Sequence, residues 1–428
     1  MSQMSNKVIE SLSGIRIEMS SLHDHGIVCL NMDDTGMCKT MNIGGHPRNY
    51  VSSQNIKWTI RKFDLYGELV KDDCKRTAVL PIIIADELIK NGVSRAKADE
   101  IAMNYICDVF GVKKNSEKEG GDDEEKRLKK MKTNSKLFLS EWEIDLLKTI
   151  IVENIDRITD LYDKNLKKAD LTKELKIIFE ESKKKFDQSV PQISVALFGR
   201  DAFTKTSVWE AYKKPGALAV QYAYTIGKAQ TNMDLFVVGD DILSDIDKDE
   251  DSEEESAQTT SHIDFKNISS GCWFFHAVCD LGVLAESLNG DEEAIIKAIE
   301  TVIPCFFFAQ SRTNYRSTAN MTPPSMAVTS LTRGVISSPA GAFTSGVISP
   351  KSGESQIQIG IDKFSDHMNS IIEMTSGYRK ELGGGPFCSV LSDIDGENLF
   401  KIGMKCDGVE QQKDRVIEAV RNIIHSEG

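Results

Sequence analysis

Residues 39–62 combine the side chains that bind phosphate and contain no Asp or Glu. The basic residues of this stretch are Lys39, Arg48, Lys57, Arg61 and Lys62. The Ser52-Ser53-Gln54 run is typical of a helix start, which offers hydroxyl and amide groups together with unpaired backbone N–H donors. Lys57 and Arg61 lie four residues apart and therefore share one face of that helix. Such groups contact phosphates without reading bases, so the stretch suits either an anion-binding face or a capped surface helix whose cations are solvated.

Patterns for other chemistry are missing or weak. The sequence contains no Walker motif, no G-x-G-x-x-G and no G-x-S-x-G, which argues against nucleotide hydrolysis and serine esterase activity. His23, His25, Cys29 and Cys38 do not have the paired spacing of a zinc site. We therefore expect no cofactor, no metal and no catalytic residue. The acid pairs Asp33-Asp34 and Asp240-Asp241 leave one alternative open, because they have the oxygen ligands for Mg²⁺, although adjacent acids are also common in turns.

The chain has 428 residues and a net charge of −13, but its charges are segregated. Ten acids and one lysine lie between Asp240 and Glu255, whereas residues 301–353 contain four basic residues and no acid. Two acid-free stretches, 39–62 and 301–353, indicate an anion-binding face in an otherwise acidic protein. The nine cysteines show no disulfide spacing, and we find neither a secretory signal nor a membrane span, so we expect a cytoplasmic protein.

Hydrophobic periodicity indicates the elements that would position these residues. Predicted strands include an opening strand within 15–31, the segments MDLFVVGDD and SGCWFFHAVCDLGVL, QISVALFG, CFFFAQ and SMAVTSLTR. Predicted helices begin near Ser52, at the Ser140–Glu143 capping box and at Pro215, and the charged segment 113–136 reads as a mobile linker. Because strands come from both ends of the chain, the order suits an α+β fold with insertions.

Four blocks of sequence resemble the CasC family, the backbone subunit of the type I-E CRISPR Cascade complex. The blocks are Leu30-Asn31-Met32-Asp33-Asp34 with Lys39, Gly44-Gly45, Arg48 and Val51-Ser52-Ser53-Gln54-x-Ile56-Lys57-x-x-x-Arg61; Ala196-Leu197-x-Gly199-Arg200; Met233-Asp234-x-Phe236-x-x-x-Asp240-Asp241; and Ser269-Ser270-Gly271-Cys272-Trp273-Phe274. They correspond to the family's LNRDD-type turn, GG loop and SSQ helix start, its ALFGRM segment, its DFFTAVDD stretch and its SSG-x-[FY]-[YF] block, in the same order.

The resemblance implies an α+β fold, a modified RRM-like (ferredoxin-like) palm with a helical fingers insertion and a hairpin thumb. The implied boundaries are palm 1–66, fingers 67–189, palm 190–230, thumb 231–272 and palm 273–428. It also implies a non-catalytic subunit that oligomerises along a CRISPR guide RNA and presents it for pairing with target DNA in antiviral defence. The implied partners are the guide RNA, target DNA, copies of itself and other Cascade subunits, and no membrane.

The resemblance also assigns RNA-binding residues. The full set is Lys39, Arg48, Ser52, Ser53, Gln54, Lys57, Arg61 and Arg200, the thumb residues Phe236, Val237, His262 and Ile263, and Arg312 and Arg316 of the second acid-free stretch. By position, the thumb residues would be wedged between guide bases. The acidic run 244–258 falls in the thumb region, where it would either point to solvent or dock on a basic patch of an adjacent subunit that includes Arg312, Arg316 and Arg333.

Several positions depart from the family pattern. Met32 and Trp58 replace two arginines, and Asp201 replaces a methionine beside Arg200. Trp58 would either stack on a base or pack under the helix. The alternative function is that of an RNA-cleaving type III-like backbone subunit, with Asp33 or Asp34 as the catalytic carboxylate.

Overall fold

The computed structural model describes residues 3–426, except 71–73, 116–122, 165–167, 188–191, 201–212, 240–259 and 314. The acidic run 244–258, the Asp240-Asp241 pair and Asp201 therefore lie outside the described residues. None of the described helices is both long enough and apolar enough to cross a membrane.

The strands follow the chain in this order: β1 Ile15–Val28, β2 Thr40–Ile43, β3 His46–Val51, β4 Lys75–Thr77, β5 Leu137–Leu139, β6 Leu218–Val220, β7 Ala223–Thr225, β8 Thr231–Gly239, β9 Thr260–Asp280, β10 Met326–Gly334, β11 Arg379–Glu381, β12 Phe387–Val390 and β13 Met404–Lys405. The large sheet has the order β13-β12-β10-β1-β9-β7-β3-β2; β11 also pairs with β10, and β6 and β8 pair with β9. All of these pairs are antiparallel except β12 with β13, so the sheet is mixed. Strands β4 and β5 form a separate small sheet.

The helices are α1 Gln3–Leu12, α2 Ser53–Arg61, α3 Asp64–Leu69, α4 Leu80–Lys90, α5 Arg95–Phe110, α6 Asp123–Lys130, α7 Glu141–Glu153, α8 Ile155–Asp163, α9 Lys168–Asp187, α10 Ile193–Phe198, α11 Leu281–Ser287, α12 Glu292–Phe308, α13 Tyr315–Thr318, α14 Gly341–Thr344, α15 Gln356–Met374, α16 Glu397–Ile402 and α17 Val409–Ser426. Helices and a mixed sheet together confirm the predicted α+β class.

The central strand β1 is buried on both faces because helices cover both sides of the large sheet. Alternate side chains of a strand point to opposite faces. Ile17 and Met19 accordingly lie in one core with residues of α1, α11, α12 and α17. Leu22 lies in a second core with Phe364 and other residues of α14, α15 and α16. The sheet is therefore the middle layer of a three-layer arrangement.

A third core lies within residues 80–179. It is built from apolar side chains of α4, α5, α7, α8 and α9 with residues of β5. This core agrees in place with the helical region predicted from the sequence, although the exact boundaries 67 and 189 stay a prediction. The predicted capping box is confirmed: Ser140 accepts from the Glu143 N–H, and Glu143 accepts from the Ser140 N–H.

Some predicted elements were wrong. QISVALFG forms helix α10, with every residue of Ile193–Phe198 buried, because a short apolar run has no periodicity that separates strand from helix. The predicted helix after Pro215 is replaced by β6 and β7, which pair with β9. The predicted strand CFFFAQ begins as the last turn of α12.

Part of the predicted mobile linker 113–136 is ordered. Residues 123–130 form α6, and the Arg127 side chain donates to Asp86 at 2.8 Å and to Asp99 at 2.8 Å. These two carboxylates hold the pKa of Arg127 above its ordinary range despite some burial. A charged sequence therefore folds here because its partner charges lie on α4 and α5, a long-range feature that local composition does not reveal.

Candidate nucleic-acid interface

The β2–β3 hairpin leads directly into α2, and its position is fixed at both ends. At the turn, Gly44 lies so close to the carbonyl of Thr344 that a Cβ atom would collide with it. At the other end, Ser52 caps α2 by accepting from the Asn55 N–H at 3.3 Å, while the Ser52 N–H donates to Asn31 Oδ1 at 3.2 Å. The helix start predicted at Ser52-Ser53 is confirmed.

Helix α2 buries one side and presents the other. Ile56, Thr59 and Ile60 are its buried residues. Gln54 and Trp58 are exposed, whereas Ser53, Lys57 and Arg61 are half-buried. The outer surface of α2 therefore carries the Gln54 amide and the Trp58 indole together with the cations of Lys57 and Arg61.

A cluster of three cations forms where α2 meets the small β4–β5 sheet. The Arg61 guanidinium lies 5.2 Å from the centre of the Phe138 ring and 5.4 Å from that of Phe198. Arg76, on β4, lies 5.3 Å from the same Phe138 ring. We call Lys57, Arg61 and Arg76 the cation cluster. Sequence reasoning missed Arg76, because only the pairing of β4 with β5 brings it to α2.

The cation cluster is electrostatically uncompensated within the described part of the chain, where no ion pair involves any of its three members. Burial, followed by the charge of Arg76, lowers the pKa of Arg61 to about 10. Burial, followed by Arg76 and Arg61, also lowers the pKa of Lys57. Both pKa values move in the direction expected for crowded like charges. An anion bound at this point would relieve that repulsion.

Arg48 is not available to a nucleic acid. Its side chain is 0% exposed. Nη1 donates to the carbonyls of Thr225 and Ile226 at 3.1 and 3.2 Å, and Nη2 donates to those of Phe343, at 2.7 Å, and Gly346. The prediction that Arg48 binds phosphate was wrong, because its buried guanidinium already donates hydrogen bonds to backbone carbonyls of two distant segments.

Arg200 is also internal. Its Nη1 lies 2.7 Å from Glu143 Oε1, and the two side chains are 6% and 3% exposed. Glu143 also closes the capping box of α7, so Arg200 connects the segment after α10 to the start of α7. The assignment of Arg200 to RNA was wrong, because a buried carboxylate is the partner of its guanidinium.

The remaining predicted cations are accessible to different degrees. Lys39 is half-buried and follows the Asp33-Asp34 turn. Arg312 is exposed but paired, with Nη2 3.0 Å from Asp64 Oδ2. Arg316 is exposed on α13. None of the described geometry contradicts Lys39 or Arg316 as RNA contacts.

The range predicted as the thumb, 231–272, contains β8 and the first part of β9, which pair as an antiparallel hairpin. The side chains of Phe236, Val237, His262 and Ile263 lie outside the described residues, and only their backbone register is described: Val237 pairs with Ile263, and Phe236 with Asp264.

The described side chains of this hairpin include exposed apolar residues that the sequence analysis missed. Met233, Leu235 and Phe265 are exposed, and Leu235 pairs with Phe265 across the two strands. The two-residue spacing of Met233 and Leu235 is the sequence signal that marks one face of the strand. At its base the hairpin is held by Asn49, which accepts from Ser269 Oγ at 2.7 Å and donates to Thr231 Oγ1 at 3.3 Å.

Asp33 stabilises its own turn. Its Oδ1 accepts from the Thr35 N–H at 2.9 Å, the Thr35 hydroxyl at 2.7 Å and the Met37 N–H at 3.0 Å. These hydrogen bonds hold the pKa of Asp33 below its ordinary range. Among the described residues, those of the His23–Cys38 segment included, no group of three or more His, Cys, Asp or Glu is arranged to hold a metal ion.

A mixed sheet between helical layers, a capped helix carrying uncompensated cations, and a hairpin with exposed apolar side chains together define an α+β protein with a candidate phosphate-binding face. A family model described as CT1975-like protein matches residues 17–398, so the chain belongs to that family. The sequence-based identification of a Cascade-type CRISPR subunit is thereby confirmed. No curated protein matches the sequence.

Solved structures share the fold. A chain of a "CRISPR RNA-guided surveillance complex, pre-nicking" is similar with a TM-score of 0.72 and 21% identity, over 95% of this chain and 100% of that one. A chain of a "CRISPR RNA-guided surveillance complex" is similar with a TM-score of 0.64 and 18% identity, over 94% and 99% of the two chains. At these identities the likeness is one of fold.

Proposed function

We propose that this chain is a non-catalytic backbone subunit that binds a CRISPR guide RNA. Several copies would line the RNA together with other Cascade subunits and leave its bases free to pair with target DNA in antiviral defence. In this proposal the large sheet is the RRM-like palm, the region around the 80–179 core is the fingers, and β8–β9 is the thumb. Assembly would take place in the cytoplasm.

The observation that carries the proposal is the cation cluster at the capped helix α2. Sequence-independent binding of a guide requires contacts to phosphate, because base pairing with the target supplies the specificity. Lys57, Arg61 and Arg76 offer three positive charges without a carboxylate partner among the described residues. A fold shared with chains of RNA-guided surveillance complexes supports the same reading.

The test is to co-express the chain with a CRISPR repeat–spacer array and its neighbouring genes, purify the assembly and sequence the bound RNA. We expect repeat–spacer RNA in the wild-type assembly and loss of that RNA with Lys57→Ala/Arg61→Ala. Unrelated RNA, or none, in an intact assembly would refute the proposal.

A second assay tests the non-catalytic part. The assembly is incubated with labelled RNA complementary to the guide in the presence of Mg²⁺. We expect the RNA to remain intact. Cleavage at regular intervals that is abolished by Asp33→Ala or Asp34→Ala would identify a ribonuclease instead.

A further inference from the structure

Trp58 occupies the centre of the outward face of α2. Its side chain is 50% exposed, which rules out the alternative that it packs under the helix. Helical geometry places Gln54, Trp58 and Arg61 in one outward row, at spacings of four and three residues. Lys57 and Lys62 flank this row on either side. A large aromatic surface is therefore left in contact with water between positive charges.

The cation cluster lies at the C-terminal end of the same row. Arg61 and Arg76 approach the ring of Phe138 at 5.2 and 5.3 Å. They come from two different elements, so their proximity is a product of the fold. Along the helix axis Trp58 and Arg61 are separated by about 4.5 Å, three residues at ~1.5 Å each. The indole and the cation cluster are consequently neighbours on one surface.

We propose that Trp58 and the cation cluster form one nucleotide subsite for single-stranded RNA, in which Lys57, Arg61 and Arg76 hold a phosphate and the indole stacks on the adjoining base. This inference rests on the proposed function and adds two residues to it, Trp58 and Arg76. An aromatic platform beside a cationic groove is the combination that binds single strands with little sequence preference.

The proposed subsite gives a physical role to Trp58, which replaces an arginine of the family pattern. An arginine there would add a phosphate contact whose strength falls with salt. Trp58 instead adds stacking, which does not release counterions and is insensitive to salt. Arg76 lies on β4 and supplies a positive charge from outside α2. The bound nucleotide would therefore connect the β4–β5 sheet to α2.

The stacking contact is tested with the full-length chain and fluorescein-labelled oligoadenylate RNA, compared with an abasic ribose-phosphate oligomer of the same length. Trp58→Ala should weaken oligoadenylate binding by about 5- to 150-fold per stacked base, with an unchanged salt slope. Binding of the abasic oligomer should not change, and Trp58→Phe should restore most of the affinity for oligoadenylate. Tyr378→Ala is the matched control, since Tyr378 is also exposed.

Equal loss for the two oligomers would overturn the stacking role, because a base contact cannot act on an oligomer without bases. Unchanged RNA binding accompanied by altered self-association would overturn it as well and would assign Trp58 to a contact between copies. Circular dichroism verifies that each variant is folded.

The phosphate contact is tested with Arg76→Gln. We expect the slope of log K against log[salt] to become shallower by about 0.7 for both oligomers. Arg95→Gln is the matched control, because Arg95 is an exposed arginine that is already paired with Glu124. If Arg76→Gln behaves like the control while Lys57→Ala/Arg61→Ala still reduces binding, the subsite fails and the proposed function stands. If none of these variants alters RNA binding, both fail.

Discussion

Arg48 and Phe343 are 295 residues apart in the sequence, yet Arg48 Nη2 donates a 2.7 Å hydrogen bond to the carbonyl oxygen of Phe343. This contact joins the two acid-free stretches, 39–62 and 301–353. The two stretches meet at this contact, but the arginine that joins them is buried. A residue assigned to RNA from its type and spacing thus holds the β2–β3 hairpin in place and, through it, the start of α2.

Replacing Arg48 tests this structural role. Arg48→Ala should lower the free energy of unfolding by at least about 3 kcal/mol, because buried carbonyls lose their donors and a cavity is left behind. Urea denaturation at neutral pH measures the change. Lys62→Ala, at an exposed position, should change stability by no more than about 0.5 kcal/mol. A similar small effect of Arg48→Ala would contradict the role.

The buried pair of Arg200 and Glu143 makes a related prediction. Arg200→Ala should cost about 3–5 kcal/mol, because it leaves the Glu143 carboxylate buried without its partner. Arg200→Met/Glu143→Gln removes both charges and should recover part of that loss. Stability is again measured by urea denaturation. If the loss of the double variant relative to wild type equals the sum of the losses of Arg200→Met and Glu143→Gln measured singly, the two residues do not act as a pair.

The sequence was most informative where structure depends on neighbours in the chain. The caps of α2 and α7 were predictable, since an N-cap bonds to a backbone group within three residues. Arg48 and Arg200 were not, because their burial depends on segments more than 50 positions away. Arg76 was missed for the same reason: its place beside Arg61 arises from the pairing of β4 with β5.

One feature of the predicted thumb region was recognisable in the sequence. Met233 and Leu235 are two residues apart, so in a regular strand they share one face. The alternate set of Met233 and Leu235, opposite Phe265, was readable from the spacing. The family resemblance gave the positions of the thumb candidates, whereas the two-residue periodicity of the strand indicates which side chains share a face.

Lys57 and Arg61 should each contribute a salt-dependent contact to RNA. With Lys57→Ala/Arg61→Ala we expect the slope of log K against log[salt] to become shallower by about 1.4, since each contact to a single strand contributes about 0.7. Fluorescence anisotropy with a labelled single-stranded RNA at several salt concentrations measures it. The matched control is Arg95→Ala/Lys97→Ala, which removes two cations that are paired with Glu124 and Asp163. Equal slopes in wild type and variant would contradict the assignment.

The acidic run 244–258 has fewer basic partners in the second acid-free stretch than the sequence implied. Arg312 is paired with Asp64 at 3.0 Å, and Arg333 donates to the Ser11 carbonyl at 3.1 Å. We therefore expect deletion of residues 245–257 to leave assembly on guide RNA unchanged at low salt. Tighter RNA binding would show that the acids repel phosphate. Failure of assembly confined to low salt would show that the run docks on an adjacent subunit, since such pairs are screened at high salt.

Three buried histidines make stability depend on pH. Burial, and for His23 also the nearby His25, lowers the pKa of His23 to about 3 and that of His25 to about 4. Burial, together with the charge of Arg379, lowers the pKa of His276 to about 4. His276 Nδ1 lies 3.0 Å from Ser20 Oγ, and its Nε2 is buried without a partner among the described residues.

These folded-state pKa values lie below the unfolded value of 6.5. At a pH between the folded and unfolded pKa values, the unfolded chain therefore binds more protons than the folded chain. The free energy of unfolding consequently falls as the pH drops below about 6.5. At pH 5 each histidine should cost about 2 kcal/mol relative to pH 7. Urea midpoints at the two pH values measure the loss. His276→Gln should reduce that loss by about 2 kcal/mol, whatever its effect at pH 7, whereas His46→Gln, at an exposed position, should leave it unchanged. An identical pH dependence in wild type and His276→Gln would show that His276 takes up its proton without unfolding, and that its burial in the sheet does not keep it neutral.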